Sequence, residues 1–395
     1  MNRAIILLLD GVGVGELPDA NCYNDIGSNT LQNLAKVIKD FRLPNLEKLG
    51  LGNIINIHGA NSVQSSLACY GKMAELSKGK DSTSGHWELM GVVLNKPFPI
   101  YPNGFPKELI ERFEQAIGRK VIGNIPASGT EIINKFGDKH IQTQSPIIYT
   151  SADSVFQIAA HEDVIPLAEL YRMCIIARKI LVGVHSVSRV IARPFTGKPG
   201  NFIRTKNRRD YSLPPPYPTL LDIAKEKSYE VVVIGKIDEL FAQKGYTASF
   251  HSVNNQECFD LTLKAMDKYH NGIIFTNFIQ FDMDWGHRND CQSFYQGLID
   301  FDSRLPEILN KLKENDILFI TADHGNDPTT PSTDHSREYV PILAYGRNIR
   351  RNINLGIRKS FADLGQTIAE YLKLSTLKNG TSFYKEIKYE SQFNY

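Results

Sequence analysis

The chain has 395 residues, enough for two domains or for one large domain carrying an insertion. Its 45 basic and 43 acidic residues leave a formal charge of +2, which makes no electrostatic case for nucleic-acid or membrane partners, and 42% apolar with 22% charged residues is ordinary for a soluble globular protein. Cys22, Cys69, Cys174, Cys258 and Cys291 form no CxxC pair, which argues for reduced thiols in a cytoplasm and against a disulfide framework.

The first apolar run, Ala4–Leu9, ends in Asp10. It is too short for a signal-peptide core and lacks a small-residue cleavage site. No run approaches the roughly eighteen apolar residues of a membrane span, so a cytoplasmic location is expected. Residues 3–9 read as a buried strand, followed by a Gly-rich loop and a helix near Thr30–Lys39. Pro97, Pro99, Pro102 and Pro106 then cluster as a boundary. Beyond it come predicted helices near Pro106–Ile117, Ser128–Phe136 and Ile165–Val182, and strands near Pro146–Thr150 and Ser188–Ala192. A second cluster, Leu213-Pro-Pro-Pro-Tyr-Pro218, closes this region. Alternation then resumes with helix 219–227, strand 230–235, helix 255–270, strand 272–281, helix 292–314, strands 316–322 and 340–345, and helix 360–373. Such alternation implies a mostly parallel sheet flanked by helices.

Three of these strands end in ligand-type side chains. Ile5–Leu9 runs into Asp10, strand 272–281 into Asp282 with His287 five residues on, and Ile317–Ala322 into Asp323 and His324, with His335 eleven residues later. The carboxyl ends of strands are where open α/β sheets bind ligands. Any one of these residues reads as well as a cap or a solvated loop residue, but six at three strand ends point to metal, and three carboxylates with three imidazoles suit two divalent ions. Oxygen and imidazole without thiolate favours Mn²⁺ or Zn²⁺ over Mg²⁺. Asp284 and Asp327 are candidates for an outer shell, and His58, His140, His251 and His270 read as structural or surface residues. Because Asp10 must meet residues 282–335 in one site, both chain ends share a sheet. The expected organisation is therefore an α/β core of residues 1–95 and 215–395 with an inserted α+β domain at 96–214.

Gly11-Val-Gly13-Val-Gly15 invites a dinucleotide-binding reading, but Glu16 stands where the third Gly or Ala belongs. The glycines are expected instead to let the backbone turn beside Asp10. Gly79-Lys-Asp-Ser82-Thr83-Ser84-Gly-His-Trp-Glu88 places three hydroxyls at the start of a predicted helix, where amides and dipole favour an anion. One of them is a candidate nucleophile, and capping by another is compatible with that. Arg189, Arg193, Arg204 and Lys236 are cations of a kind that binds phosphate, each equally readable as a surface charge.

Taken with Tyr149-Thr-Ser-Ala-Asp153-Ser, Arg189-Val-Ile-Ala-Arg-Pro, Gly200-Asn-Phe-Ile-Arg204-Thr, Phe281-Asp-Met-Asp-Trp-Gly-His287-Arg and Ala322-Asp-His-Gly-Asn-Asp327 through Thr333-Asp-His335, these segments resemble the alkaline phosphatase superfamily and, within it, the phosphopentomutase family. The metal set carries the superfamily; the Gly-Lys-Asp…Gly-His-Trp-Glu and Tyr-Thr-Ser-Ala-Asp segments carry the family. The resemblance implies an alkaline-phosphatase-like core with an inserted cap, one Mn²⁺ held by Asp10, Asp323 and His324, and a second by Asp282, His287 and His335. It implies phosphorylation of Ser82, sugar contacts from Asp153, and phosphate contacts from Arg189, Arg204 and Lys236. Glucose 1,6-bisphosphate is the implied activator, and small sugar phosphates are the implied partners. Gln280 stands where the family usually has an acid, and Ser82 where Thr is frequent. A cofactor-independent phosphoglycerate mutase or a metal-dependent phosphatase of the same superfamily shares the metal plan, and a non-catalytic metal-binding protein is the alternative of another class.

Overall fold

The computed structural model describes residues 1–151 and 153–389. It divides into two units, Met1–Lys96 with Pro215–Tyr395, and Pro97–Pro214. In chain order the strands are β1 Arg3–Leu9, β2 Cys69–Met73, β3 Ile122–Pro126, β4 Ile147–Thr150 and β5 Val155–His161. They continue with β6 Arg189–Lys198, β7 Asn201–Arg204, β8 Arg209–Ser212, β9 Glu230–Ile234 and β10 Ala248–Phe250. The last four are β11 Gly272–Phe278, β12 Asp316–Thr321, β13 Val340–Tyr345 and β14 Asn354–Arg358.

The first unit holds an eight-stranded sheet in the order β10-β9-β11-β1-β12-β13-β2-β14. Its first five strands are parallel, and β13 turns antiparallel to both β12 and β2. β1, β11 and β12 are buried along their whole length, as their predominantly apolar runs require of strands covered on both faces. The register sets the site: Leu8 pairs with both Asn277 and Thr321, and Leu9 with Phe278. The chain segments carrying Asp10, Asp282 and Asp323 therefore leave the sheet at one edge. Thr276 pairs with Ile234, which brings Lys236 to the same edge.

The second unit is α+β. Its sheet runs β3-β4-β5-β6-β7, with β8 also paired to β6. One apolar cluster, around Phe113, Phe156, Leu170 and Val190, and another, around Ile132, Tyr149, Phe195 and Phe202, give the unit a core of its own.

Several elements differ from expectation. The strand predicted over 272–281 stops at Phe278, and Phe281–Trp285 forms a π-helical turn, so Asp282 sits on that turn rather than in a strand. The helix predicted over Ser128–Phe136 extends over Gly129–Thr143. Gly137 interrupts its apolar pattern, yet it faces the Phe202 ring and leaves that ring its space. β5 was unforeseen because Gln157, Ala159 and Ala160 blur its alternation, and β2, β7, β8, β10 and β14 because they are short, partly exposed strands. Among the described residues no helix is long and apolar enough to cross a membrane.

Candidate active site

Asp10 follows β1 directly, and its backbone N–H donates to Phe278 O across the strand ends. Asp323 and His324 follow β12, with Gly11 N–H donating to Asp323 Oδ1 at 3.2 Å. The two loops are joined further by Asn326 N–H to Gly11 O at 2.7 Å. Gly13 is small for a steric reason: a Cβ there would collide with the Glu338 side chain. Glu338 accepts from Gly15 N and Thr30 N with one oxygen and from the Thr30 and Ser336 hydroxyls with the other. The glycine run thus lets the loop close over a buried carboxylate.

The six expected ligands converge. Asp282 Oδ2 lies 3.3 Å from His287 Nε2 and its Oδ1 3.2 Å from His335 Nε2. His324 Nε2 lies 3.4 Å from Asp10 Oδ1 and 3.2 Å from Asp323 Oδ2. Two groups have ligand atoms that all fall within 4.8 Å of one another: Asp282 with His287 and His335, and Asp10 with Asp282 and His324. Asp282 is common to both, and Asp323 flanks the second through His324.

Each imidazole is oriented in the same way. Nδ1 of His287, His324 and His335 faces the carbonyl oxygen of Thr333, Gly325 and Lys80, at 2.7, 3.0 and 2.9 Å. A carbonyl only accepts, so Nδ1 carries a proton and Nε2 is the nitrogen turned toward the carboxylates. Asp10 Oδ1, Asp323 Oδ2 and His335 Nε2 are buried without a hydrogen-bond partner. Three ring nitrogens turned toward carboxylate oxygens, with outer hydrogen bonds fixing the rings, fit divalent cations, whose binding releases any proton on those nitrogens.

The electrostatics agree. Burial pushes Asp10 well above the usual carboxylate range, and repulsion from Asp323 and Asp282 adds to it. Burial also acts to raise Asp282 and Asp323, but neighbouring imidazoles outweigh it and hold both low: His287 and His335 beside Asp282, His324 and His86 beside Asp323. At His324 burial acts to lower the pKa, and the charges of Asp323, Asp282 and Asp10 drive it well up. The site concentrates negative charge around a place for cations.

The helix Ser82–Leu89 abuts this cluster. Gly85 is packed against the Asp323 carbonyl, where any Cβ would clash. That close approach brings Ser82 Oγ to 3.1 Å from His324 Nε2. The three candidate hydroxyls separate by environment. Ser84 Oγ is buried and donates to Glu75 Oε1 at 2.9 Å, Thr83 is buried, and Ser82 is partly exposed. The cap is none of the three: Asp81 accepts from Ser84 N at 3.1 Å. A carboxylate one residue upstream competes better for the free amides.

The remaining expected residues fall in two places. Lys236 lies in the first unit, its Nζ 3.4 Å from Met283 Sδ. Asp153, Arg189 and Arg204 lie in the second. There Arg189 reaches Asp153 at 3.4 Å and Asp210 at 3.6 Å, while Arg204 crosses the start of helix Gly129–Thr143 beside the Tyr149 hydroxyl. Asp327 accepts from Asn29 N, Asn33 and Thr329, so it braces its own loop, and Asp284 accepts from Gln280. His140 is buried between Ser145 O and His161 N, a structural role as expected.

Some side chains at the site were not foreseen. Asn277 donates to Asp10 Oδ2 and Asn326 to Asp282 Oδ1. His86 lies against Asp323, with Nδ1 3.0 Å from Oδ2. Arg337 is buried against Glu75, Asp19 and the Gly79 carbonyl, and ties the loop before Ser82 to the segment of His335. The available signals were a polar Thr276-Asn277 pair inside an apolar strand and an unassigned His86 in the hydroxyl motif.

The profile of the metalloenzyme superfamily matches residues 2–376. A phosphopentomutase of Dictyoglomus turgidum is 61% identical over 388 residues, covering 98% of this chain and 98% of that protein. One from Clostridium novyi is 55% identical over 387 residues, covering 98% and 99%. Among solved structures, the PH0037 protein of Pyrococcus horikoshii aligns over 96% of this chain and 99% of its own, with a TM-score of 0.48 and 14% identity.

Proposed function

Because the chain belongs to the phosphopentomutase family, within the metalloenzyme superfamily, we propose that it interconverts ribose 1-phosphate and ribose 5-phosphate, and the 2-deoxyribose pair, by way of a phosphoryl group on Ser82. Membership makes it an isomerase that moves a phosphoryl group within a sugar phosphate. The observation that carries the finer reading is the 3.1 Å approach of Ser82 Oγ to His324 Nε2, inside the ligand cluster.

In this reading the Ser82 phosphoryl group passes to the free hydroxyl of the bound sugar phosphate. The serine P–O bond breaks, a sugar P–O bond forms, and a bisphosphate results. The other phosphate of the bisphosphate then returns to Ser82, leaving the isomer. Two Mn²⁺ ions, with Asp10, Asp323 and His324 around one and Asp282, His287 and His335 around the other, would neutralise charge on the transferring group. Ser82 stands at the first position of its helix, where free amides and the dipole stabilise an anion. Lys80, paired with Asp25 at 3.0 Å and Asp334 at 3.2 Å, holds the nucleophile loop against the segment carrying His335. Asp153 would hold sugar hydroxyls, and Arg189, Arg204 and Lys236 the phosphate that is not being transferred. The inserted unit would act as a cap that keeps water from phospho-Ser82, since hydrolysis there would make a phosphatase. Glucose 1,6-bisphosphate would prime the enzyme by phosphorylating Ser82.

The test supplies ribose 1-phosphate, Mn²⁺ and a trace of glucose 1,6-bisphosphate, and follows ribose 5-phosphate and inorganic phosphate together. Isomer without phosphate release supports the proposal. Phosphate without isomer would make the protein a hydrolase. Ser82→Ala should abolish turnover and phosphoenzyme formation with an unchanged unfolding temperature; retained turnover would move the nucleophile elsewhere.

A further inference from the structure

Asn277 and His86 lie behind the ligand cluster and belong to no expected set. Asn277 is wholly buried at the penultimate position of β11, and His86 is wholly buried one turn into the helix of Ser82. Asn277 Nδ2 donates to Asp10 Oδ2 at 2.9 Å and faces His86 Nε2 at 3.1 Å. His86 Nδ1 lies 2.8 Å from the Ser82 carbonyl oxygen. Asp323 Oδ2 lies 3.0 Å from the same nitrogen, so both neighbours of Nδ1 are acceptors.

These contacts fix one another. The Ser82 carbonyl only accepts, so Nδ1 of His86 carries a proton. An ionised Asp10 only accepts, so the amide nitrogen of Asn277 faces it, and the second N–H of that nitrogen points at His86 Nε2. His86 Nε2 therefore presents its lone pair, and the Asn277 amide has one favourable orientation. Were the amide to turn over, its oxygen would face both the Asp10 carboxylate and the imidazole lone pair. Held as it is, it occupies Asp10 Oδ2 and leaves Oδ1 free, and Oδ1 is the oxygen that faces His324.

We infer that Asn277, with its amide locked by His86, is a positioning residue that aims the free oxygen of Asp10 at the cation site, and that His86 couples this aim to the backbone of Ser82. The inference rests on the metal-site reading above. It concerns the protein's affinity for the ion rather than the reaction.

The experiment titrates metal-free, full-length protein with Mn²⁺, counting free ion by electron paramagnetic resonance, and records the unfolding temperature of each metal-free variant. Asn277→Leu keeps the branching and number of side-chain heavy atoms and removes the donor; it should weaken Mn²⁺ binding by about 10–100-fold, the usual cost of losing an outer-shell partner. His86→Phe keeps a ring but no acceptor and should weaken binding in the same direction. His86→Gln offers an amide oxygen near the Nε2 position and should retain most of the affinity. The His86→Phe, Asn277→Leu double variant should bind no more weakly than the worse single one, because both break one chain. A space-filling role predicts the reverse order, with His86→Phe like the parent and His86→Gln impaired. That order, or unchanged Mn²⁺ affinity in Asn277→Leu, would overturn the inference. If His86→Phe does not fold, Asn277→Leu decides alone. Failure of the isomerase assay with these affinities as expected would fell the proposed reaction and leave the positioning role standing.

Discussion

Asp282 is the side chain common to both ligand groups: its oxygens face His335 and His287 in one, with Asn326 holding the first oxygen at 2.6 Å, and it lies with Asp10 and His324 in the other. Its place on a π-helical turn explains this reach, because the wider turn carries the carboxylate beyond the strand edge. Asp282→Asn should therefore weaken most the Mn²⁺ site it would form with His287 and His335, by more than the roughly 10–100-fold cost of an outer-shell change, and should weaken the neighbouring site of Asp10 and His324 as well. His287→Gln, which touches one group, should weaken only one. Calorimetric titration of the metal-free variants separates the two patterns. A single weakened site in Asp282→Asn would remove its shared role. Glu338 gives a second residue-scale test. Burial is the main cause that pushes its carboxyl up to about 7, against the hydrogen bonds from Ser336 and Thr30. A folded-state pKa above the unfolded value stabilises the fold fully below about 4.5 and loses that contribution as pH rises through about 7. The shift sets an upper bound of about 3 kcal/mol on this change. In urea unfolding of metal-free protein, the parent should therefore lose stability relative to Glu338→Gln between pH 5 and pH 8. A pH-independent difference would show that Glu338 is ionised throughout. The six ligand types were legible in the sequence because each is an unusual residue at the end of an apolar run. Asn277 and His86 were not, since a buried amide or imidazole shows its purpose only through what lies opposite.

The helix Ser82–Leu89 depends on one close approach. Gly85 rests on the Asp323 carbonyl, and a methyl group there forces the helix off the β12 loop. Gly85→Ala should destabilise the protein by about 1–3 kcal/mol, the range for overpacking. It should lower isomerase activity at least tenfold by moving Ser82 away from His324. Thermal unfolding and the coupled product assay measure the two effects. Full activity would mean that the helix position is not set by this contact. The long, strongly apolar strands and the long helices were readable from their periodicity. Strand 272–281 was read too long because Ile279 and Phe281 continue the apolar pattern into the turn, where they are buried all the same. β2 and the edge strand β14 escaped because neighbours rather than intrinsic pattern make a short, partly exposed segment a strand.

All six ligands and Ser82 lie in the unit Met1–Lys96 with Pro215–Tyr395, and the unit Pro97–Pro214 has two apolar clusters of its own. The fragment Pro97–Pro214 should therefore fold alone, with cooperative thermal unfolding by circular dichroism and no specific Mn²⁺ uptake; a fragment without a cooperative transition would tie its core to the rest of the chain. Residue types, the spacing of apolar runs and the two Pro clusters were enough to bring out an α/β core, an inserted α+β segment and a set of metal-type ligands, because these follow from local chemistry and short periodicities. Three things belonged to the tertiary structure alone. The parallel register of β11, β1 and β12 brings ligands more than 300 residues apart to one edge. Packing of Gly85 on Asp323 brings Ser82, of three adjacent hydroxyls, to 3.1 Å from His324 Nε2. The orientations of His287 and His335 are set by carbonyls of Thr333 and Lys80, distant in the chain. Each depends on distances between segments remote in the chain, and composition and periodicity carry no information about those distances.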